Sequence, residues 1–219
     1  MSESIGSEAV MSAINAHLAA ELLVEGERMP VFVWTIDHPA GLVLVDTGMI
    51  DSRPEIEDMS PTPHPENIPR DVACVINTHL HYDHCGGNRL FPGVPIHVQA
   101  RELADARSLD HPYTVREWVD FDGATYVEHE GEVELLPGIR LLPTPGHTDG
   151  HQSVLVETGG RPVVVAATWR FGSASLTSRT PKDSYGCARS SPSSSGSRTN
   201  TSPGGRAPCK ARRSAQGPR

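Results

Sequence analysis

A layered, strand-rich α/β fold of the α+β kind is predicted for residues 1–167, and three observations predict it. Short runs of Val, Ile and Leu recur between Gly and Pro turns, which is the signature of strands. A helical stretch reads over roughly Ala100 to Ser108, and polar residues gather on loops where the strands end. The third observation is a limit. The pattern stops at Ala167, so residues 1–167 form the domain and residues 168–219 a separate tail.

Taken in order, "PVFVWTIDHPAGLVLVDTGM" (30–49) reads as two β-runs around a turn at Pro39-Ala40-Gly41. The second run ends at Asp46-Thr47-Gly48, which sets an acid at the carboxyl end of a buried strand. The proline-rich stretch 51–69 reads as a loop with one short helical turn. "DVACVINT" (71–78) is another apolar strand and runs straight into "HLHYDHCGG". "VPIHVQ" (94–99) is a short strand ahead of the helix. Residues 117–166 alternate short β-runs with Gly and Pro turns.

Charge divides the chain at the same place. Residues 1–167 hold nine Arg, no Lys and 26 acids, a net charge of −17. The tail holds eight Arg, two Lys and one acid, Asp183, a net charge of +9. A basic nucleic-acid-binding arm is one reading of such asymmetry. It is set aside because the basic residues are scattered and lack interleaved aromatics. The tail's 52 residues contain 12 Ser, with Leu176 alone among Leu, Ile, Val and Met, so disorder is expected. The opening "MSESIGSEAV" is acidic where a secretory signal needs positive charge, and no apolar run approaches the ~20 residues of a membrane helix. Cys74, Cys85, Cys187 and Cys209 show no disulfide spacing, so a cytoplasmic, reduced protein is expected.

The chemistry concentrates in "HLHYDH". In an extended segment side chains alternate, so His79 and His81 project to one side and can grip one ion. A turn at Tyr82-Asp83 aims Asp83 and His84 at a neighbouring position. Imidazole and carboxylate suit a borderline cation such as zinc, with Zn–N near ~2.0–2.1 Å. Cys85-Gly86-Gly87 reads as a tight turn that starts a helix and leaves the ligands exposed, with Cys85 itself a small packed residue. His97 reads as a half-buried strand residue. His17, His38, His64, His111 and His129 sit among loop or surface signals and receive no role.

"HLHYDH" after an apolar strand, with "VDTG" before it and "TPGHT" well after it, resembles the metallo-β-lactamase fold superfamily. "INTHLHYDHCGGN", "PIHVQARE" and "PTPGHTDGHQSVLVET" look most like its N-acyl homoserine lactonase branch, over about residues 28–166. The resemblance implies an αββα sandwich, incomplete here in its C-terminal half. It implies that His79, His81 and His147 hold a first metal and Asp83 and His84 a second. Asp46 would organise the ligand loop from behind, while His151, four residues beyond His147, reads as a supporting or structural residue rather than a ligand. The implied activity is metal-dependent hydrolysis, opening a lactone ring by a metal-bound hydroxide, with Asp83 and His84 as the catalytic pair. Two zinc ions are expected in intact relatives, and one, or weak binding, here. A small-molecule lactone or ester is the expected partner, with no nucleic acid and no membrane. A glyoxalase II-like thioesterase and a non-catalytic relict holding at most one zinc are the alternatives. Tyr113, Trp118 and Phe121 line an acyl-chain pocket or belong to the core.

The same resemblance exposes a gap. A bridging carboxylate normally follows the strand after "GHT", yet that position falls at Thr168, and no His follows His151. A frameshift is the expectation that would account for this. One codon set for Ala166 to Trp169, GCG GCG ACG TGG, reads Ala-Gly-Asp-Val once a single G is restored. On this expectation residues 168–219 are an out-of-frame product, and activity is low or absent in the chain as written.

Overall fold

The computed structural model describes residues 12–53, 56, 59–108 and 113–167. The predicted tail, 168–219, lies outside the described residues, as do His111, Cys187 and Cys209.

The described residues build two sheets. The first begins with a hairpin of β1 (Ile14–Val24) and β2 (Glu27–Ile36). Glu25 (φ 51°) and Gly26 (φ 86°) are both left-handed, which is the two-residue turn whose twist matches that of paired strands. β2 pairs antiparallel with β3 (Val43–Val45). A short β4 (Thr62–Pro63) closes the other edge on β1 and leads into a single 3-10 turn, Pro65–Asn67. From β3 the sheet turns parallel, through β5 (Cys74–Ile76), β6 (Pro95–Gln99) and β7 (Thr125–His129). The strand order is β4-β1-β2-β3-β5-β6-β7. The second sheet is an antiparallel meander of β8 (Val133–Leu136), β9 (Ile139–Pro143), β10 (Gln152–Val156) and β11 (Val163–Val165).

The helices are short. α1 (Tyr82–Cys85) follows β5, and α2 (Ala100–Ala106) and α3 (Arg116–Val119) lie between β6 and β7. α1 packs on β2, and α2 on β6 and β7, so the described helices cover the first sheet. A fourth layer, implied by the resemblance, would have to come from outside the described residues.

Apolar side chains explain the layering. Between the sheets, Trp34, Ile36, Val45 and Ile76 meet Ile139, Leu141, Val154 and Val156 in one buried cluster. On the opposite face of the first sheet, Leu80, Cys85 and Val98 pack with Leu103, Ala106 and Val119. Each such side chain contributes roughly 1.5–3 kcal/mol by leaving water. β3 and β5 are therefore buried on both faces, as central parallel strands need to be. Cys74 and Cys85 are buried free thiols. No helix among the described residues is long and apolar enough to cross a membrane.

Gly86 caps α1 at its end, and Gly87 caps the start of a 3-10 turn, Asn88–Leu90, so the pair both closes one helical turn and opens the next. One expectation needs correction. The ligand residues ahead of this turn are not exposed, since His79 is 0% and Asp83 2% accessible. The reason lies at Gly87, where a Cβ would stand 2.2 Å from the Thr47 carbonyl oxygen. The glycine lets the loop after β3 close over the ligand loop, and that closure buries it.

Candidate metal centre

Parallel strands deliver their carboxyl ends side by side, which is where sites form in such sheets. Asp46 follows β3, His79 to His84 follow β5, and Glu102 follows β6. The loop between β9 and β10 brings His147 and His151 across from the second sheet.

His79, His81 and His147 meet there. Their ring centroids lie 4.7 Å apart in all three pairs, with interplanar angles of 76°, 80° and 81°. One ligand nitrogen from each falls within 4.8 Å of the others. His147 Nε2 stands 3.1 Å from His81 Nδ1. Two ligands on one cation at about 2.1 Å, tetrahedrally arranged, would be ~3.4 Å apart, so the spacing is close to that of a chelate. His79 Nδ1 contacts the Thr78 hydroxyl at 3.1 Å, while its buried Nε2 has no hydrogen-bond partner. A buried ring nitrogen without a partner is costly unless something fills the position. The donor set therefore fits a divalent cation.

Electrostatics agree. Burial, then the neighbouring His84, His81, His151 and His147, hold His79 well below the usual imidazole range. Burial, then His84, also lowers His147. Both are held as neutral imidazoles, the form that offers a lone pair.

Asp83 and His84 lie beside the triangle. His84 Nδ1 is 3.0 Å from Asp46 Oδ2 and its Nε2 is 3.2 Å from Asp83 Oδ2. Burial opposes charge on His84, yet Asp83 and Asp46 outweigh it and push the ring up to about 10. Burial likewise opposes ionisation of Asp83, but His84 and His81 draw the carboxyl below its usual range. Asp83 Oδ1 is buried and unpartnered. Among the described residues the three-group cluster comprises the histidines alone, with Asp83 and His84 outside it.

Asp46 bonds to Thr78, at the start of the ligand loop. Its Oδ1 accepts from the Thr78 N–H (2.7 Å) and its Oδ2 from the Thr78 hydroxyl (2.8 Å). It holds φ 58°, a left-handed conformation that Asp tolerates better than most residues. His151 contacts the Ala167 carbonyl at 2.6 Å through Nε2 and the Thr144 hydroxyl at 2.8 Å through Nδ1. Both of its nitrogens are thus engaged away from the triangle, although its ring lies 5.5 Å from that of His79.

Among the aromatic candidates, Trp118 is 1% accessible and belongs to the core. Phe121 is half-buried against a core cluster. Tyr113 is 56% accessible and sets its ring edge-on to His81, 5.6 Å between centroids. The half-buried His97 on β6 pairs with His129 on β7, Nδ1 to Nε2 at 2.9 Å. Sequence reasoning missed Glu102, a fully buried acid on α2 that touches both ligand loops. It also missed a buried amide chain, in which Thr47 Oγ1 donates to Asn88 Oδ1 and Asn88 Nδ2 donates to Asn77 Oδ1.

Comparison with known proteins gives a consistent picture. The sequence profile of the metallo-beta-lactamase superfamily matches residues 26–179. An N-acyl homoserine lactonase from Bacillus sp is 34% identical over 168 residues, covering 67% of this chain and 65% of the relative. The chain thus spans about two thirds of the length of that curated relative. A crystal structure of B. thuringiensis AiiA with N-decanoyl-L-homoserine at the active site superposes with a TM-score of 0.59 at 27% identity, covering 68% of this chain and 71% of that one. An N-acyl homoserine lactone hydrolase with N-hexanoyl-L-homoserine at its catalytic metal centre gives 0.57 at 29% identity, over 68% and 72%.

Proposed function

Because the chain belongs to the metallo-beta-lactamase superfamily, we propose that it is a metal-dependent hydrolase whose substrate is an N-acyl homoserine lactone. The observation that carries the metal reading is the triangle of His79, His81 and His147, with a buried, unpartnered Nε2 on His79. The lactone reading rests on the likeness to the Bacillus lactonases and to the product-bound structures.

His79, His81 and His147 would hold one cation, zinc by its taste for imidazole. When bound, such an ion supplies Lewis acidity and an activated water. The chain's own residues supply the rest. Burial keeps His79 and His147 neutral and excludes bulk water. Asp46 fixes Thr78, and with it the start of the ligand loop. Asp83 Oδ1 is a proton acceptor beside the triangle, and the charged His84 holds that carboxylate in place through Oδ2. Tyr113 offers an apolar rim on which an acyl chain rests. A second, weaker cation beside Asp83 and His84 would have to displace the ion pairs that His84 makes with Asp83 and Asp46.

The test is ring opening by the full-length, zinc-loaded chain, followed as proton release from N-hexanoyl homoserine lactone. Turnover that falls at least ~100-fold in His79→Ala supports the reading. Cleavage of a thioester in preference to the lactone would favour a glyoxalase II-like activity. No turnover of either, with one zinc bound, would identify a non-catalytic metal protein.

A further inference from the structure

We propose that Glu102 is a positioning residue that clasps the His147 loop to the His79–His81 loop and thereby sets the metal affinity of the three-imidazole site. The inference rests on the metal reading above. The three histidines come from two separate pieces of chain: His79 and His81 from the loop after β5, and His147 from the β9–β10 loop of the other sheet. A tripod assembled this way is only as good as the attachment between its two halves.

Glu102 makes that attachment. Its side chain is fully buried in the first turn of α2. Oε1 accepts the backbone N–H of Leu80 at 2.8 Å, and Leu80 stands between His79 and His81. Oε2 accepts the hydroxyl of Thr148 at 2.6 Å, and Thr148 directly follows His147. One rigid carboxylate thus links residues that each neighbour a ligand. The approach of the His147 loop to α2 is also close. A Cβ at Gly150 would lie 2.2 Å from the Glu102 backbone nitrogen and 2.4 Å from its Cα. At its other end the loop is tied by the Gln152 N–H, which donates to the Thr78 carbonyl at 2.9 Å. Arg101 of α2 also makes an exposed pair with Asp149 of the same loop, at 3.0 Å. Together these attachments fix the distance and the angle of the loop, and Glu102 is the buried one among the ties to α2.

The buried Glu102 carboxyl, accepting from one donor on each ligand loop, lies behind the imidazole ligands. Outer groups of this kind typically change metal affinity 10–100-fold when removed.

Thr148→Val is the sharpest probe, because it keeps the shape of the side chain and removes only the Oε2 arm. Two readouts are needed. In the metal-free protein, amide hydrogen exchange at Leu80 should accelerate about tenfold, although the bond from Leu80 to Oε1 is not itself altered. In the cobalt titration, Thr148→Val and Glu102→Gln should each weaken binding about 10–100-fold, and Thr148→Ser should return it to within about threefold of wild type. Leu80 exchange at the wild-type rate in Thr148→Val overturns the clasp, whatever cobalt does. Faster exchange with unchanged cobalt affinity overturns its control of the metal. A wild-type chain that takes up no cobalt overturns the metal reading instead, and the exchange result still decides whether the two loops are clasped.

Discussion

Asp46 shows how much one residue carries. It occupies a left-handed backbone position, pins Thr78 through two bonds and pairs with His84. Asn tolerates the same backbone, so Asp46→Asn separates charge from conformation. The expected outcome is a roughly 10–100-fold weaker zinc affinity with a small change in thermal midpoint, checked by chelator competition and calorimetry. The His97–His129 pair gives a pH dependence. Burial, then His129, lowers His97 from 6.5 to about 4. The unfolded chain therefore binds that proton more readily than the fold does. Its contribution is fully present above pH 6.5 and is lost as pH falls toward about 4. His97→Gln should flatten the fall of the urea midpoint between pH 6.5 and 4 relative to wild type. At this scale the sequence was legible wherever residue type alone states the chemistry, as in "HLHYDH". It was silent on Glu102, because an acid in the first turn of a helix reads as an ordinary complement to the helix dipole. Only the fold turns that side chain inward between two loops.

Elements were legible where burial and pattern agree. β2, β3, β5 and β6 are apolar runs closed by turn residues, and each lies close to where the sequence puts it. β1 was not legible. "HLAAELLVEGE" is rich in helix formers, and it becomes a strand because pairing with β2 outweighs its local preference. α3 was missed for the opposite reason, since four residues are too few to show a period. The ligand loop between β5 and α1 depends on a close approach that no pattern reveals. Gly87 backs against the Thr47 carbonyl, and its own N–H donates to the Gly48 carbonyl at 3.0 Å. Gly87→Ala should destabilise the fold by about 2–4 kcal/mol, because backbone rather than a flexible side chain would have to move. Urea unfolding of the metal-free protein measures this, and a loss below about 0.5 kcal/mol would mean that the two loops are not packed as described.

For the molecule as a whole, the two sheets depend on each other. Ile76 and Val154 face each other's sheet with no accessible surface. Ile76→Ala should cost about 2–5 kcal/mol by cavity formation, read from denaturant unfolding. The same packing positions the site, because His147 arrives from the second sheet while His79 and His81 belong to the first. The change of composition at Thr168 was plain in the sequence, and the residues beyond it lie outside the described structure. The most direct test of the central claim is therefore the zinc content of the full-length chain after equilibrium dialysis, measured beside His147→Ala. At least one zinc per chain with micromolar or tighter affinity, lost in His147→Ala, is expected. Binding that is absent from the wild type, or unchanged by His147→Ala, would contradict a metal centre built from both sheets.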